Sequence, residues 1–216
     1  MARHSFRRGL IPGLGLLLLS LSACAPGSSS RASISSRPVV DGWVPPAEVS
    51  HPPFRAETFH SNWLETRGGS YVYMEVLGDY RRAGSFIRPL ISEAQQQGLR
   101  IAPNASPFCL FYDDPGSGKP VAELRARVGI ELEQPQAAVT PLFVDALPGG
   151  TAVHACVSGP YPGASRAYPL LFQYMGTLNW ERNGPIQEIY HVSPGSGVPD
   201  RSLICEILIP VRPAAR

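Results

Sequence analysis

One carboxylate and one phenol near the C-terminal end of the chain have the types and the spacing for small-molecule chemistry. Glu188 and Tyr190 lie two residues apart in a segment, 185–191, that predicts a β-strand. Side chains at i and i+2 of a strand project from the same face, so the two lie side by side. A partly buried glutamate can bind a cation, to which tyrosine adds cation–π contact, or it can act as a general base on water. An exposed glutamate in an amphipathic strand would show the same pattern.

The histidines and cysteines form no recognisable metal or redox motif. His154 and His191 lack metal-ligand spacing, and the sequence contains no Cys-x-x-Cys. Cys109, Cys156 and Cys205 lie in apolar segments, which fits three buried thiols or one disulfide with a free thiol. We therefore expect no metal site and no cofactor.

Two segments spaced 81 residues apart repeat one pattern. Residues 68–80 and 149–161 both open with Gly-Gly, hold two valines at the same places, and end in Gly-x-Tyr. Each predicts a glycine turn that leads into a β-strand and then into a second turn. The chain therefore contains an internal duplication.

A helix is predicted after each of these strands. Apolar residues recur at helical spacing over 83–94 and again over 164–178, and Trp180 is expected to end the second helix. Pro89 and Pro169 take matching places early in the two helices, where each either lies in the first turn or bends the helix.

Two further strands complete each unit and set the fold class. They are predicted over residues 108–112 and 123–132 in the first unit, and 185–191 and 202–211 in the second. The plan is β-α-β-β twice, with repeat 1 at about 67–133, repeat 2 at about 148–213, and a linker over 141–148. We predict an α+β domain over 61–216, in which two pseudo-symmetric halves place one helix each on one face of an antiparallel sheet.

The N-terminal residues resemble a bacterial lipoprotein leader. Residues 1–23 hold a basic start, an apolar stretch and Leu-Ser-Ala directly before Cys24, which predicts a cleaved signal peptide and a lipidated Cys24. Residues 24–60 are rich in Ser and Pro and predict a tether, whose aromatic residues either dock on the domain or remain loose. Ala25 after the cysteine favours the outer membrane, so we expect a lipid-anchored protein of the cell envelope that faces the periplasm.

Composition and charge narrow the function classes. The 216-residue chain has a formal net charge of +2, and without the arginines of the leader it has 16 basic and 17 acidic residues, a net charge of −1. Nucleic-acid binders usually carry a basic face, so we expect no nucleic-acid partner. No run of eighteen apolar residues is present, so no membrane-spanning helix is predicted.

Four motifs in order resemble the GyrI-like small-molecule-binding family, which includes effector domains of BmrR- and Rob-type regulators and DNA gyrase inhibitory proteins. The motifs are Phe111-Tyr112-Asp113-Asp114-Pro115 followed by Leu124-Arg125, then Gly149-Gly150, then Pro185-x-x-Glu188-x-Tyr190, and Cys205-Glu206-Ile207-x-Ile209-Pro210-Val211. The resemblance covers roughly residues 60–213. The sequence shows no DNA-binding helix-turn-helix of the kind that the regulators carry, so the resemblance does not imply transcriptional control.

The resemblance implies a central cleft between the repeats, lined by aromatic side chains around a glutamate. It assigns Glu188 as the charge that meets an apolar, often aromatic and cationic ligand, with Tyr190 beside it. Tyr112 is taken as the repeat counterpart of Tyr190 and would either face the cleft from the other half or pack in the core. Trp180 either walls the pocket or closes the core. Two alternatives remain: a hydrolase of small electrophiles in which Glu188 activates water, and a membrane-tethered protein-interaction module.

Overall fold

The computed structural model describes residues 61–192 and 199–215. In these residues the strands are β1 (Asn62–Thr66), β2 (Gly69–Leu77), β3 (Phe108–Phe111), β4 (Arg125–Glu131), β5 (Phe143–Leu147), β6 (Gly150–Ser158), β7 (Trp180–Arg182), β8 (Ile186–Tyr190) and β9 (Ile204–Pro213). The α-helices are α1 (Ile87–Gln96) and α2 (Tyr168–Thr177). The predicted signal peptide, Cys24 and the tether lie outside the described residues.

The strands form one curled antiparallel sheet in which the two repeats meet at the centre. The strand order is β1-β6-β9-β8-β3-β4-β2-β5, with β7 paired to β9. The repeats are β2-α1-β3-β4 and β6-α2-β8-β9, and β3 pairs with β8, the equivalent strand of the other repeat. The predicted α+β fold with duplicated β-α-β-β units is confirmed.

Each helix begins with a 3₁₀ segment that the apolar stripes alone do not reveal. Residues Tyr80–Phe86 and Tyr161–Ala167 are 3₁₀ helices, and α1 and α2 follow them directly. Pro89 and Pro169 lie in the first turns of the α-helices. Backbone N–H groups there have no intrahelical acceptor, so the lack of an N–H in proline costs no hydrogen bond. Of the two alternatives for these prolines, the structure therefore shows the first-turn placement.

Three short strands add to the predicted plan. β1 precedes the first repeat, and β5 occupies the segment 141–148 that the sequence predicts as a linker. Trp180 opens β7 and pairs with Pro213, so it does not end the second helix, which stops at Thr177. These three strands pair with strands that are distant in sequence, and each is too short to show a periodic pattern of apolar residues.

The two faces of the sheet differ in what covers them. On the helix face, Leu90 and Ala94 of α1 and Leu171 and Met175 of α2 pack on alternate residues of the strands. The opposite face, called the second face below, carries a smaller cluster of Tyr71, Tyr73, Phe108 and Leu110. Within the residues described, no helix is long and apolar enough to cross a membrane.

Candidate functional site

Strand β8 directs Glu188 to the helix face near the centre of the sheet. It lies between β3 and β9, and Glu188 is paired with Cys109 on one side and Ile207 on the other. Residues directly opposite in antiparallel strands share a face, and alternation places Ile186 and Tyr190 on that face as well. The sequence therefore puts a carboxylate in a position that the neighbouring strands fill with apolar side chains.

Two phenols bind the carboxylate of Glu188. Tyr190 donates from its hydroxyl to Oε2 at 2.7 Å, and Tyr168, the first residue of α2, donates to Oε1. Glu188 is only 8% exposed, and Tyr168 is fully buried. The side-by-side placement of Glu188 and Tyr190 that strand geometry predicts is present, and both carboxylate oxygens have a partner.

The electrostatic environment favours the neutral form of this carboxyl group. Burial raises the pKa of Glu188 above its usual value, although the hydrogen bonds from Tyr168 and Tyr190 lower it in part. Burial likewise raises the pKa of both tyrosines, so their hydroxyls remain proton donors. Among the described residues no Arg, Lys or His forms an ion pair with Glu188.

Two buried thiols flank this site. Cys109 is opposite Glu188 and Cys205 is opposite Tyr190, and both are free and buried. Burial, reinforced by the charge of Glu188, raises the pKa of Cys109 to about 12, so its thiol stays protonated. Cys109 and Cys205 are the core residues that their apolar strands predict, while the pairing of Cys156 lies outside the described residues.

A family model described as a GyrI-like small molecule binding domain matches residues 70–212. The chain belongs to the GyrI-like family. No significantly similar protein is found among curated sequences.

Solved structures share the fold of this GyrI-like domain. The EcmrR C-terminal domain gives a TM-score of 0.65 at 17% identity, over 73% of this chain and 100% of that one. EcmrR in a complex with DNA gives a TM-score of 0.64 at 18% identity, over 72% of this chain and 58% of that longer chain. An uncharacterized conserved protein from Listeria innocua gives 0.51 at 12% identity, over 70% of this chain and 92% of that one. At these identities the likeness shows the fold.

Tyr168 is the site residue that sequence reasoning missed. The sequence places it in the apolar stripe of the second predicted helix, where it reads as a core residue. The hydroxyl of Tyr168 could have indicated its role, because a tyrosine on the buried face of a helix needs a hydrogen-bond partner in the core. Glu188 is that partner.

Tyr112 lies apart from the Glu188 site of the GyrI-like domain. It follows β3 in the alternation that places Phe108 and Leu110 on the second face, and it packs on their cluster. The guanidinium of Arg127 lies 5.2 Å from its ring centre. Because strand alternation places Tyr112 and Tyr190 on opposite faces, they are not equivalent positions of the two repeats, and the expectation that Tyr112 faces the site of Glu188 was wrong.

Trp180 also lies apart from Glu188. It packs against the margin of the main core, and its ring forms an edge contact with Trp63 of β1 at 6.3 Å between centroids. Of the two roles considered for Trp180, the structure shows the contact with the core.

A second cluster of ionisable groups lies on the second face around Glu206. The sequence favours an outward-facing edge position for Glu206. Strand alternation does place Glu206 on the face away from the helices, but β9 lies between β6 and β8, so the edge part of this expectation was wrong. His154 and His191 each contact one carboxylate oxygen, at 2.8 and 2.9 Å, and these bonds lower the pKa of Glu206 to about 2. Within the described residues, the ligand atoms of His154, Cys156 and Glu206 lie within 4.8 Å of one another, but Cys156 is disulfide-bonded, so its sulfur is not a free thiolate for a metal.

Proposed function

We propose that this GyrI-like domain binds a small, largely apolar cation at Glu188, with Tyr168 and Tyr190 as the aromatic partners. The observation that carries the proposal is the buried carboxylate whose two partners are neutral phenols. A cationic ligand would supply the counter-charge that no Arg, Lys or His of the described residues supplies in an ion pair.

The energetics of the buried carboxylate support this ligand class. A carboxylate removed from water is unfavourable unless an opposite charge compensates it, and here burial already raises its pKa. An apolar cation gains the ion pair in a poorly solvated place and keeps its own apolar surface in contact with tyrosine rings. Tyr161 extends this aromatic surface, since its ring centre lies 4.8 Å from that of Tyr190.

Access to Glu188 requires a local rearrangement. The carboxylate is 8% exposed and Tyr168 closes it from the start of α2. We propose that the ligand displaces the Tyr168 hydroxyl and shifts the first turn of α2, which follows a 3₁₀ segment and has no side-chain cap on its N-terminus. Because the ligand binds only the opened conformation, and this conformation is a small fraction of the population, the free energy of opening weakens the apparent affinity.

Affinity for an aromatic cation tests the proposal. Tetraphenylphosphonium serves as the probe and neutral triphenylphosphine oxide as its control, both measured by calorimetry and thermal shift on the purified chain. Glu188→Gln keeps the shape of the side chain and removes its charge, and we expect it to weaken cation binding at least about tenfold, or 1.4 kcal/mol. The matched control is Glu133→Gln, because Glu133 is exposed. Equal affinity of Glu188→Gln and the unchanged chain for the cation would overturn the proposal.

The pH dependence gives a second readout of the same site. Since the cation needs an ionised Glu188 and burial raises the pKa of that group, affinity should increase as the pH rises through this pKa. Glu188→Gln should abolish the dependence. Affinity that is independent of pH in the unchanged chain would contradict the assigned role.

Hydrolysis is the second candidate, and the raised pKa of Glu188 is the observation in its favour. A carboxyl group of raised pKa is suited to act as a general base near neutral pH. Both of its oxygens accept hydrogen bonds from tyrosines, however, so water has to displace one of them first. Release of product from small electrophilic esters, lost in Glu188→Gln, would favour hydrolysis over binding.

We also propose that Cys24 carries a lipid that anchors this domain to the periplasmic side of the outer membrane. The leader with Leu-Ser-Ala before Cys24 and the following Ala25 support it. Labelling with a palmitate analogue in a bacterial host, followed by separation of inner and outer membranes, tests both points. Loss of label and release from the membrane in Cys24→Ala are expected, and an unlabelled parent chain would refute the anchor.

A further inference from the structure

The second face of the sheet carries side chains that are buried although no described helix covers them. Tyr71, Phe108 and Leu110 are each 1% exposed and Tyr73 is 7% exposed. Among the residues described, the cluster they form contains strand residues alone, with Tyr112, Leu147 and Ile189 at its margin. The two helices pack on the other face.

Neighbouring strands shield only the flanks of a side chain that stands up from a sheet. The ring tips remain in contact with water unless another layer covers them, since side chains project perpendicular to the sheet. The ring of Phe108 lies over Gly129, where an added Cβ would approach that ring to 2.8 Å. In this position Phe108 shields one side of the Tyr71 ring from water. Four apolar or aromatic residues at these low exposures therefore point to a further layer of chain.

We propose that residues 37–60 of the same chain form this layer. They hold two proline pairs, Pro45-Pro46 and Pro52-Pro53, together with the aromatic residues Trp43, Phe54 and Phe59. Proline-rich segments adopt extended conformations at low entropic cost and dock on surfaces lined with aromatic side chains.

The second face offers such a surface. The rings of Tyr71 and Tyr73 have centres 5.3 Å apart, and Tyr71 and Phe108 have centres 5.4 Å apart. Phe143 adds a ring 5.7 Å from Tyr73 and is 45% exposed, so it marks the rim of the cluster. Rows of aromatic rings bind proline and aromatic side chains through flat apolar contact.

A polar group at the centre of the second face can fix the orientation of the segment. The guanidinium of Arg127 lies 4.1 Å from the ring centre of Tyr73 and donates to Tyr71 Oη at 2.8 Å and to Asp145 at 2.6 Å. An extended proline-rich chain has carbonyl oxygens without internal partners, and a guanidinium held among aromatic rings is a donor for such oxygens.

The length of chain before the sheet allows this placement. The segment joins β1, which is an edge strand, and β4 lies five strands away from it, roughly 24 Å across the sheet. The stretch from Trp43 to Ser61 spans up to roughly 60 Å when extended, so Trp43 can reach the cluster with chain to spare. The shorter stretch from Phe54 to Ser61 spans about 25 Å and reaches the cluster only when fully extended.

Tyrosine nitration of the full chain tests the proposal. Trp43→Ala combined with Phe54→Ala should increase nitration of Tyr73 by tetranitromethane several-fold, as read by peptide mass spectrometry. Tyr168 on the helix face is the internal reference, and Ser33→Ala with Ser35→Ala outside 37–60 is the matched control. Unchanged nitration of Tyr73 in a folded double variant would overturn the proposal.

A crosslinking measurement keeps the test decisive if the double variant does not fold. Trp43 replaced by p-benzoylphenylalanine should crosslink to peptides of β2, β3 or β5 within the same chain. Crosslinks confined to other surfaces would overturn the proposal. Crosslinks between two chains, together with a doubled mass in light scattering, would show that a second copy covers the face and would also overturn it.

Discussion

Gly129→Ala should destabilise the domain because the second face leaves no room for a methyl group there. Gly129 lies in β4, opposite Phe108 on one side and Tyr73 on the other. A Cβ added at Gly129 would meet Phe108 Cε2 at 2.8 Å, Phe108 Cζ at 2.9 Å and Tyr71 Cδ2 at 3.0 Å. Both rings are 1% exposed, so neither can turn into solvent to make room.

The magnitude follows from the cost of overpacking. An extra methyl group in a well-packed core costs about 1–3 kcal/mol of unfolding free energy, and 1 kcal/mol shifts the melting temperature of a domain of this size by about 2–4 °C. Gly69→Ala is the matched control, because Gly69 is also a strand glycine but has nothing within 4 Å of an added Cβ. There the change should be neutral or slightly stabilising, since alanine has less backbone freedom to lose.

Urea unfolding followed by circular dichroism measures both variants. A double variant, Gly129→Ala with Phe108→Leu, should lose less stability than the sum of the single changes, because the smaller side chain relieves the clash. If Gly129→Ala unfolded at the same urea concentration as Gly69→Ala, the close packing of rings over Gly129 would be refuted.

Three further predictions concern the ionisable groups. Glu206→Gln should lower the free energy of unfolding by about 1–2 kcal/mol at neutral pH, after a discount for partial exposure. Because the folded-state pKa of Glu206 is lowered, this stabilisation is present above pH 4.5 and is lost as the pH falls toward about 2. Identical acid unfolding of the variant and the unchanged chain would contradict the prediction. Tyr168→Phe removes a donor that lowers the pKa of Glu188, so the infrared carboxyl titration assigned by Glu188→Gln should shift to higher pH, and an unshifted titration would count against the bond. Cys109, with a pKa of about 12 and no exposure, should resist iodoacetamide at pH 8 until the chain unfolds; labelling of the native chain would argue against its burial.

Local sequence determined the repeat units, because their signals are short-range. Glycine turns, alternating strands and apolar helical stripes are encoded within a few residues, so β2, β3, β4 and β8 lie close to their predicted bounds. The pairing of Glu188 with Tyr190 follows from the same two-residue period. Here a pattern of residue types and one rule of strand geometry were sufficient.

The tertiary structure decided which distant side chains meet. Tyr168 reaches Glu188 only because α2 packs over β8, and no spacing along the chain shows that contact. Tyr112 appeared equivalent to Tyr190 in the repeat, but strand alternation turned it to the second face. His154 and His191 lack any motif, yet pairing of β6, β8 and β9 brings both to Glu206. Local sequence sets which face a side chain takes, whereas strand order and helix packing set its neighbours across that face.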